Sequence, residues 1–108
     1  MYIHNTNKKV AIINDFSGFG RCSLTVAMPI VSYLGVQACP VPTAIFSNHT
    51  GYDSFYCKDL TEDLTAYIGE WQKLDLHFDG ISSGFLGSIY QIDTVIEFIK
   101  HFKGDDTK

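Results

Sequence analysis

The apolar run KKVAIIND, residues 8–15, constrains the fold of this chain more than any other stretch. Its β-branched residues follow two lysines and end at a polar pair, which is typical of a strand buried on both faces of a parallel sheet. The glycine-rich turn SGFGRCS comes next. It leads into LTVAMPIVSYLG, residues 24–35, where apolar residues recur at helical spacing and Pro29 should kink the helix. A strand followed by a helix predicts one unit of an α/β fold.

Two further strand and helix pairs are predicted downstream. The run VQACPVP, residues 36–42, predicts a second strand, and its two prolines indicate an edge position or an irregular end. Thr61 is expected to cap a second helix. The stretch FDGISSGFLGS, residues 78–88, predicts a short third strand and a loop. Apolar stripes define the second and third helices: Leu64, Tyr67, Ile68, Trp71 and Leu74, then Ile89, Ile92, Val95, Ile96, Ile99 and Phe102.

This order of elements predicts an α/β layered domain with right-handed crossovers between parallel strands. With 108 residues, the chain is at most one domain with a modest core. A half-sized parallel sheet would leave one edge unpaired, and such an edge promotes aggregation unless something covers it. We therefore expect residues 1–108 to form a single incomplete domain, either the N-terminal part of a larger fold or a partner of other chains.

Composition and charge argue against several classes of function. The net charge of −4 gives no electrostatic reason to expect a nucleic acid or an anionic membrane as partner. No apolar run approaches the roughly 18 residues of a membrane span, and the N-terminal segment lacks the apolar core of a signal peptide, so we expect a cytoplasmic protein. The three cysteines form no Cys-x-x-Cys pair and the four histidines show no ligand spacing, so no metal site is expected.

The segments that leave the three predicted strands are NDFSGFGRCS, PTAIFSNHTGYD and SSGFLGS, and all are rich in polar or small residues. Ligands of open α/β sheets bind beyond the carboxyl ends of the strands, so these segments predict a ligand site. Asp15 at a strand end either caps the turn or accepts hydrogen bonds from a ligand. Gly18-x-Gly20 lacks the third glycine and the downstream acidic residue of a dinucleotide site, which disfavours that alternative.

The stretch AIINDFSGFGRCSLTVAMPIVSYLG, followed by VPTAIFSNHTGY, resembles the N-terminal half of pyridoxal and pyridoxamine kinases of the ribokinase-like superfamily. The resemblance covers residues 9 to about 103, and FSNHTGY is its most specific element. It implies a ribokinase-like three-layer α/β fold, present as the N-terminal part of a mainly parallel sheet with flanking helices. It also implies a small β flap that closes over a vitamin B6 substrate.

The same resemblance assigns roles to individual positions. Asp15 matches a strand-end residue that meets the ring substituents, although many family members have serine there. Thr50 matches a threonine that bonds the pyridine ring, and His49 and Phe46 match residues that line the pocket. Gly20 matches the glycine of the turn after the first strand. Phe85 matches an aromatic residue that covers the substrate; this residue is often tyrosine in the family, so the phenylalanine here lacks the hydroxyl.

The implied reaction is ATP-dependent phosphorylation of the 5′-hydroxymethyl group of pyridoxal, pyridoxine or pyridoxamine. In the family, the catalytic Gly-x-Gly-Asp segment and the contacts to ATP and magnesium lie in a C-terminal half, and no Gly-x-Gly-Asp occurs in this sequence. We therefore expect the acceptor-substrate half of a site, with no catalytic residue and no cofactor bound by this chain alone. Expected partners are a B6 vitamer and either a second copy or a C-terminal half.

Two alternatives remain at this stage. The sister activity on hydroxymethylpyrimidine is close, because both substrates are small aromatic rings that carry a hydroxymethyl group, but the SNHTGY element favours pyridoxal. The other alternative is a non-catalytic truncated chain that binds vitamin B6 or only assembles with partner chains.

Overall fold

The computed structural model describes residues 7–108, so His4, one of the histidines considered above, lies outside the described range. Along the chain the elements are β1 (Lys9–Phe19), α1 (Ser23–Tyr33), β2 (Gln37–Asn48), β3 (Cys57–Asp59), α2 (Thr61–Lys73), β4 (Gly80–Ser83) and α3 (Tyr90–Phe102). They form one sheet in the order β3-β2-β1-β4. β1 pairs in parallel with β2 and β4, while β3 is antiparallel to β2.

The helices cover both faces of this sheet. Ala11 and Ile13 of β1 belong to the main core cluster together with Leu64 of α2 and Phe98 of α3. Because side chains alternate along a strand, the buried Ile12 points to the opposite face. α1 packs against β1 and β2. The predicted α/β layered architecture is confirmed.

Two strands are longer than the sequence predicts. β1 continues past Asn14 to Phe19, and β2 continues past Pro42 to Asn48. A register shift between Asn14 and Phe16 separates the buried parallel ladder from this extension, where Phe16 pairs with Ile45. The extension, β3 and the turn of residues 49–56 between β2 and β3 form a small β flap. Part of the polar segment PTAIFSNHTGYD, which was expected to follow the second strand, therefore belongs to that strand, because the flap is more exposed than the central sheet and accepts polar side chains.

The prolines of the second strand do not place it at an edge. β2 lies between β1 and β3, but β3 pairs only with residues 44–46 of β2. The Pro40 carbonyl accepts a hydrogen bond from the Tyr67 hydroxyl at 2.6 Å, so this side of the residue faces α2 and not β1. Since a strand residue directs its N–H and C=O to the same side, the missing N–H of Pro40 breaks no bond of the ladder.

The second helix starts as predicted, but its cap differs. Thr61 is the first helical residue, and the carboxylate of Asp59 accepts bonds from both the backbone N–H of Thr61, at 2.6 Å, and its hydroxyl. Asp59 therefore supplies the acceptor at this helix end. Within the predicted stripe, Leu64 and Ile68 are buried, whereas Leu74 is exposed beyond the last turn.

The third helix presents a different face to the core than its isoleucines suggest. Its buried residues are Gln91, Val95, Phe98 and Phe102, while Ile89, Ile92 and Ile96 are exposed. The rings of Phe98 and Phe102 pack at 4.5 Å between centroids and both contact Phe78, so aromatic packing sets the rotation of α3. The predicted stripe was wrong for these three isoleucines.

Part of the outer edge of β4 is covered. The backbone N–H of Ile81 donates to the Lys108 carbonyl at 2.9 Å, and the Lys108 N–H donates to the Asp79 carbonyl at 3.0 Å. The expected unpaired edge is thus paired at its beginning by the last residue of the chain. No helix within residues 7–108 has the length and apolar character needed to cross a bilayer.

Candidate ligand site

A buried carboxylate lies where the register of β1 shifts. Asp15 is 6% exposed, and its two oxygens accept hydrogen bonds from the hydroxyls of Ser23, at 2.6 Å, and Ser17, at a long 3.5 Å. Ser17 is placed on the same side of β1 by the two-residue period of a strand. These hydroxyls satisfy part of the hydrogen-bonding capacity of the carboxylate, which has about four lone-pair sites. Asp15 can therefore accept a further donor from a ligand.

The N-terminal end of α1 supports this carboxylate. Ser23 has a φ of 52°, a left-handed conformation that is unusual for a residue with a side chain, and its hydroxyl bonds Asp15. The first turn of α1 holds no acidic residue, so Asp15 supplies negative charge at the positive end of the helix. Backbone strain of this kind is concentrated at ligand sites, where the surrounding structure compensates for it.

The turn at the tip of the flap is organised around His49. Its backbone N–H donates to the Phe19 carbonyl at 2.9 Å, which joins the ends of β1 and β2. Gly20 follows with a φ of 144°, and a Cβ atom there would lie 3.1 Å from the His49 Cβ, so this position favours glycine. The Gly51 N–H donates to His49 Nδ1 at 2.8 Å. Because Nδ1 is an acceptor, the neutral ring carries its proton on Nε2 and can donate from there.

An aromatic wall closes another side. Phe46, at the end of β2, is 8% exposed, and its ring meets that of Phe85 edge to face with centroids 6.0 Å apart. Phe85 follows β4 and is about half exposed. Phe55 of the flap also contacts Phe46, at 5.8 Å. Such a wall suits the face or edge of a flat ring.

These residues enclose two adjoining cavities. The first, which we call the inner cavity, has a volume of about 230 Å³ and is lined by Asp15, Ser17, Cys22, Ser23, Phe46, His49, Thr50 and Phe85. The second, the outer cavity, has a volume of about 350 Å³ and is lined by Gly20, Arg21, His49, Gly51 and Tyr52. His49 is shared by both. The inner cavity combines an aromatic wall with several polar groups, as small-molecule sites do.

The structure brings the predicted site residues together. The inner cavity contains Asp15, Phe46, His49, Thr50 and Phe85, and the outer cavity contains Gly20. Sequence reasoning missed Ser17, Ser23, Cys22 and Arg21. The alternation of the strand beyond Asp15 could have indicated Ser17. The other three follow the strand, and only the fold of the turn brings them to a cavity.

Metal-binding groups are placed elsewhere. Within residues 7–108, the only group of three side chains that could hold an ion is His77, Asp79 and Asp106. Asp79 lies beside Lys9 at the amino ends of β4 and β1, whereas Asp15 follows the central ladder toward the carboxyl end of β1. All three cysteines are free thiols. The group of His77, Asp79 and Asp106 therefore lies away from the residues that line the two cavities.

Comparison with curated proteins finds pyridoxal kinases as relatives. No family model matches the sequence. A curated pyridoxal kinase from Paraburkholderia xenovorans is 33% identical over 100 residues, which are 89% of this chain and 34% of the relative. One from Leifsonia xyli is 28% identical over 102 residues, which are 91% of this chain and 36% of that protein. The chain thus spans about one third of the length of these relatives.

Solved structures agree with this result. A putative phosphomethylpyrimidine kinase from Bacteroides thetaiotaomicron, crystallised with pyridoxal, has 50% sequence identity and a TM-score of 0.92, covering 94% of this chain and 36% of that chain. Pyridoxal kinase from Lactobacillus plantarum, at 23% identity, has a TM-score of 0.83 over 95% of this chain and 37% of its own, and this likeness supports the fold alone. In sequence and in fold, this chain is similar to about one third of a pyridoxal kinase of the ribokinase-like superfamily, consistent with the N-terminal portion.

Proposed function

We propose that this chain forms the vitamin B6 pocket of a pyridoxal kinase. The parent reaction is ATP-dependent phosphorylation of the 5′-hydroxymethyl group of pyridoxal, pyridoxine or pyridoxamine. The observation that carries the proposal is the inner cavity, which joins a buried carboxylate to an aromatic wall in a chain similar to kinases of this kind.

In this pocket the ring lies against Phe46 and Phe85. The carboxylate of Asp15 accepts a hydrogen bond from a ring hydroxyl or a protonated ring nitrogen, and the hydroxyl of Thr50 bonds another polar group of the ring. His49 donates from Nε2 at the boundary between the two cavities. Together these contacts bind and orient the acceptor, which lowers the entropic cost of bringing two substrates into alignment.

ATP and magnesium belong to the complete enzyme. The sequence has no Gly-x-Gly-Asp segment and no Walker lysine. Within residues 7–108, the cluster of His77, Asp79 and Asp106 that could hold an ion lines neither cavity. We therefore assign no catalytic residue and no cofactor contact to this chain. The complete site requires a C-terminal half or another chain, and we propose that the protein acts in the cytoplasm as a homo-oligomer or as part of such an assembly.

A second candidate is supported by one finding. The Bacteroides protein with 50% identity is described as a putative phosphomethylpyrimidine kinase, although it was crystallised with pyridoxal. A hydroxymethylpyrimidine is also a small ring that bears a hydroxymethyl group. The segment SNHTGY favours the pyridoxal activity, so we treat the pyrimidine as the competing substrate.

A binding titration tests the proposal. Calorimetry with residues 1–108 should show that pyridoxine binds and that 4-amino-5-hydroxymethyl-2-methylpyrimidine binds more weakly. Thr50→Val keeps the shape but removes the hydroxyl, so pyridoxine should bind about ten- to a hundredfold more weakly, because a buried ring group loses its partner. Thr94→Val on α3, remote from the cavities, is the matched control. Tighter binding of the pyrimidine would support the competing function, and no binding of either ring would contradict both.

A further inference from the structure

The two adjoining cavities carry different charges. The inner cavity is lined by the carboxylate of Asp15 and by no lysine or arginine. The outer cavity is lined by Arg21 and by no aspartate or glutamate. A ligand that extends from one cavity into the other would therefore place a hydrogen-bond donor or a cation at the inner end and an anion at the outer end.

Arg21 has no partner of its own within the described part of the chain. It is exposed, and it forms no hydrogen bond or ion pair with any of residues 7–108. It lies between Gly20 and Cys22 at the start of α1, so the left-handed turn at Gly20 brings it beside the cavity. A guanidinium offers several N–H donors in one plane and matches phosphate oxygens well.

His49 connects the two cavities. Its Nδ1 is occupied by the Gly51 N–H, so the donor of the neutral ring is Nε2. Gly51 lies so close that a Cβ atom there would be 2.8 Å from Nδ1, which keeps the turn compact around the ring. The ring of Tyr52 packs against Phe19 with centroids 5.8 Å apart and forms a further wall. The outer cavity thus combines the Arg21 guanidinium, which has no partner among residues 7–108, with the Nε2 donor of His49 and the compact backbone at Gly20 and Gly51.

We propose that the outer cavity is an anion subsite for the phosphate of a phosphorylated ring alcohol whose ring occupies the inner cavity. Arg21 bonds the phosphate oxygens, and His49 Nε2 donates to the oxygen nearest the ring. This inference rests on the proposed function, because it uses the same inner cavity for the ring. It assigns to this chain binding of the phosphorylated product in addition to the alcohol.

The test compares two ligands that differ only in the phosphate. Pyridoxine and pyridoxine 5′-phosphate lack the aldehyde of pyridoxal and so form no imines with lysines. Calorimetry on residues 1–108 at low salt should show the phosphate ester binding about tenfold more tightly than the alcohol, as expected for one charge-assisted contact. In Arg21→Gln the phosphate ester should bind no more tightly than pyridoxine, while the affinity for pyridoxine should stay the same. In the wild type, added salt should reduce the preference for the phosphate ester.

Lys58→Gln is the control, since it removes one positive charge from the neighbouring strand β3 but lines neither of the two cavities. It should leave the ratio unchanged, and circular dichroism should show both variants folded. Equal affinities for the two ligands, or a ratio that survives Arg21→Gln, would overturn the anion subsite while leaving the proposed function intact. If neither ligand binds, both are wrong. If ATP without magnesium binds in an Arg21-dependent manner and the ester does not, the anion comes from a nucleotide and the proposal fails.

Discussion

The side-chain oxygen of Asn14 accepts a hydrogen bond from the backbone N–H of Phe85 at 3.0 Å, across 71 positions in the sequence. The same oxygen accepts the N–H of Asp15 at 2.9 Å. A Cβ atom on Gly84 would lie 2.4 Å from the Asn14 amide nitrogen, so the loop approaches as closely as it does only because residue 84 is glycine. One amide therefore holds two walls of the inner cavity in place.

Asn14→Ala should destabilise the protein because it leaves the N–H groups of Asp15 and Phe85 without their partner. We expect a loss of about 1–3 kcal/mol in the free energy of unfolding, measured by urea denaturation. Gln72→Ala, on the exposed side of α2, is the control and should change stability by less than about 0.5 kcal/mol. An unchanged unfolding midpoint for Asn14→Ala would mean that water replaces both bonds and that this amide does not hold the loop.

Asp15→Ala tests whether the buried carboxylate serves a ligand or only the turn. In the complete or reconstituted enzyme, B6 binding should weaken by about ten- to a hundredfold, while ATP affinity should stay nearly the same. Asp53→Ala removes an exposed carboxylate of the flap and should leave both affinities unchanged. If Asp15→Ala instead unfolds the protein, as seen by circular dichroism, the carboxylate acts as a structural cap of the turn through Ser23 and Ser17.

Stability should depend on pH through Asp79. The pKa of this carboxyl is lowered, first by the hydrogen bond from the Lys9 backbone N–H and then by the charges of Lys8 and His77. Because the folded-state pKa lies below the unfolded one, the charged group stabilises the protein above its ordinary pKa of about 4, and this contribution disappears as pH falls through the folded-state value.

Asp79→Asn keeps the shape and removes the charge. The variant should therefore be less stable than the wild type at pH 7, and the difference should stay nearly constant down to about pH 4 and shrink as the pH falls further. Urea midpoints at a series of pH values measure this difference. Glu70→Gln is the matched control. It breaks the exposed ion pair between Glu70 and Lys73 on α2 and should have little effect on stability. A difference that stays constant with pH would show that the charge of Asp79 does not stabilise the fold.

Residues 1–108 alone should show no kinase turnover. Phosphoryl transfer requires two aligned substrates and several groups that stabilise charge on the moving phosphate. This sequence has no Gly-x-Gly-Asp segment, and Arg21 is the one lysine or arginine that lines either cavity. The assay supplies magnesium, ATP and pyridoxal and follows pyridoxal phosphate by its absorbance. Product above a control without protein would show that the chain carries its own catalytic groups.

Some of the candidate site was predictable because it depends on residue types at strand ends. The segments after the predicted strands meet at one rim in any open parallel sheet, and this rule alone brings Asp15, the FSNHTGY segment and Phe85 close together. Arg21 and Ser23 could not be assigned in this way. Their position depends on a left-handed turn at Gly20 and a positive φ at Ser23, neither of which has a signal in composition or periodicity.

The sequence by itself determined the alternation of strands and helices, the parallel sheet and the polar rim, because the local period of apolar residues reflects which faces are buried. Only the tertiary structure decided how far the strands run, which acceptor caps α2 and which side of α3 is buried. Asp59 replaces Thr61 at the helix end because β3 ends beside it, and Ile92 and Ile96 face outward because Phe98 and Phe102 fit against Phe78. These outcomes depend on contacts between residues far apart in the chain, and a local pattern contains no information about them.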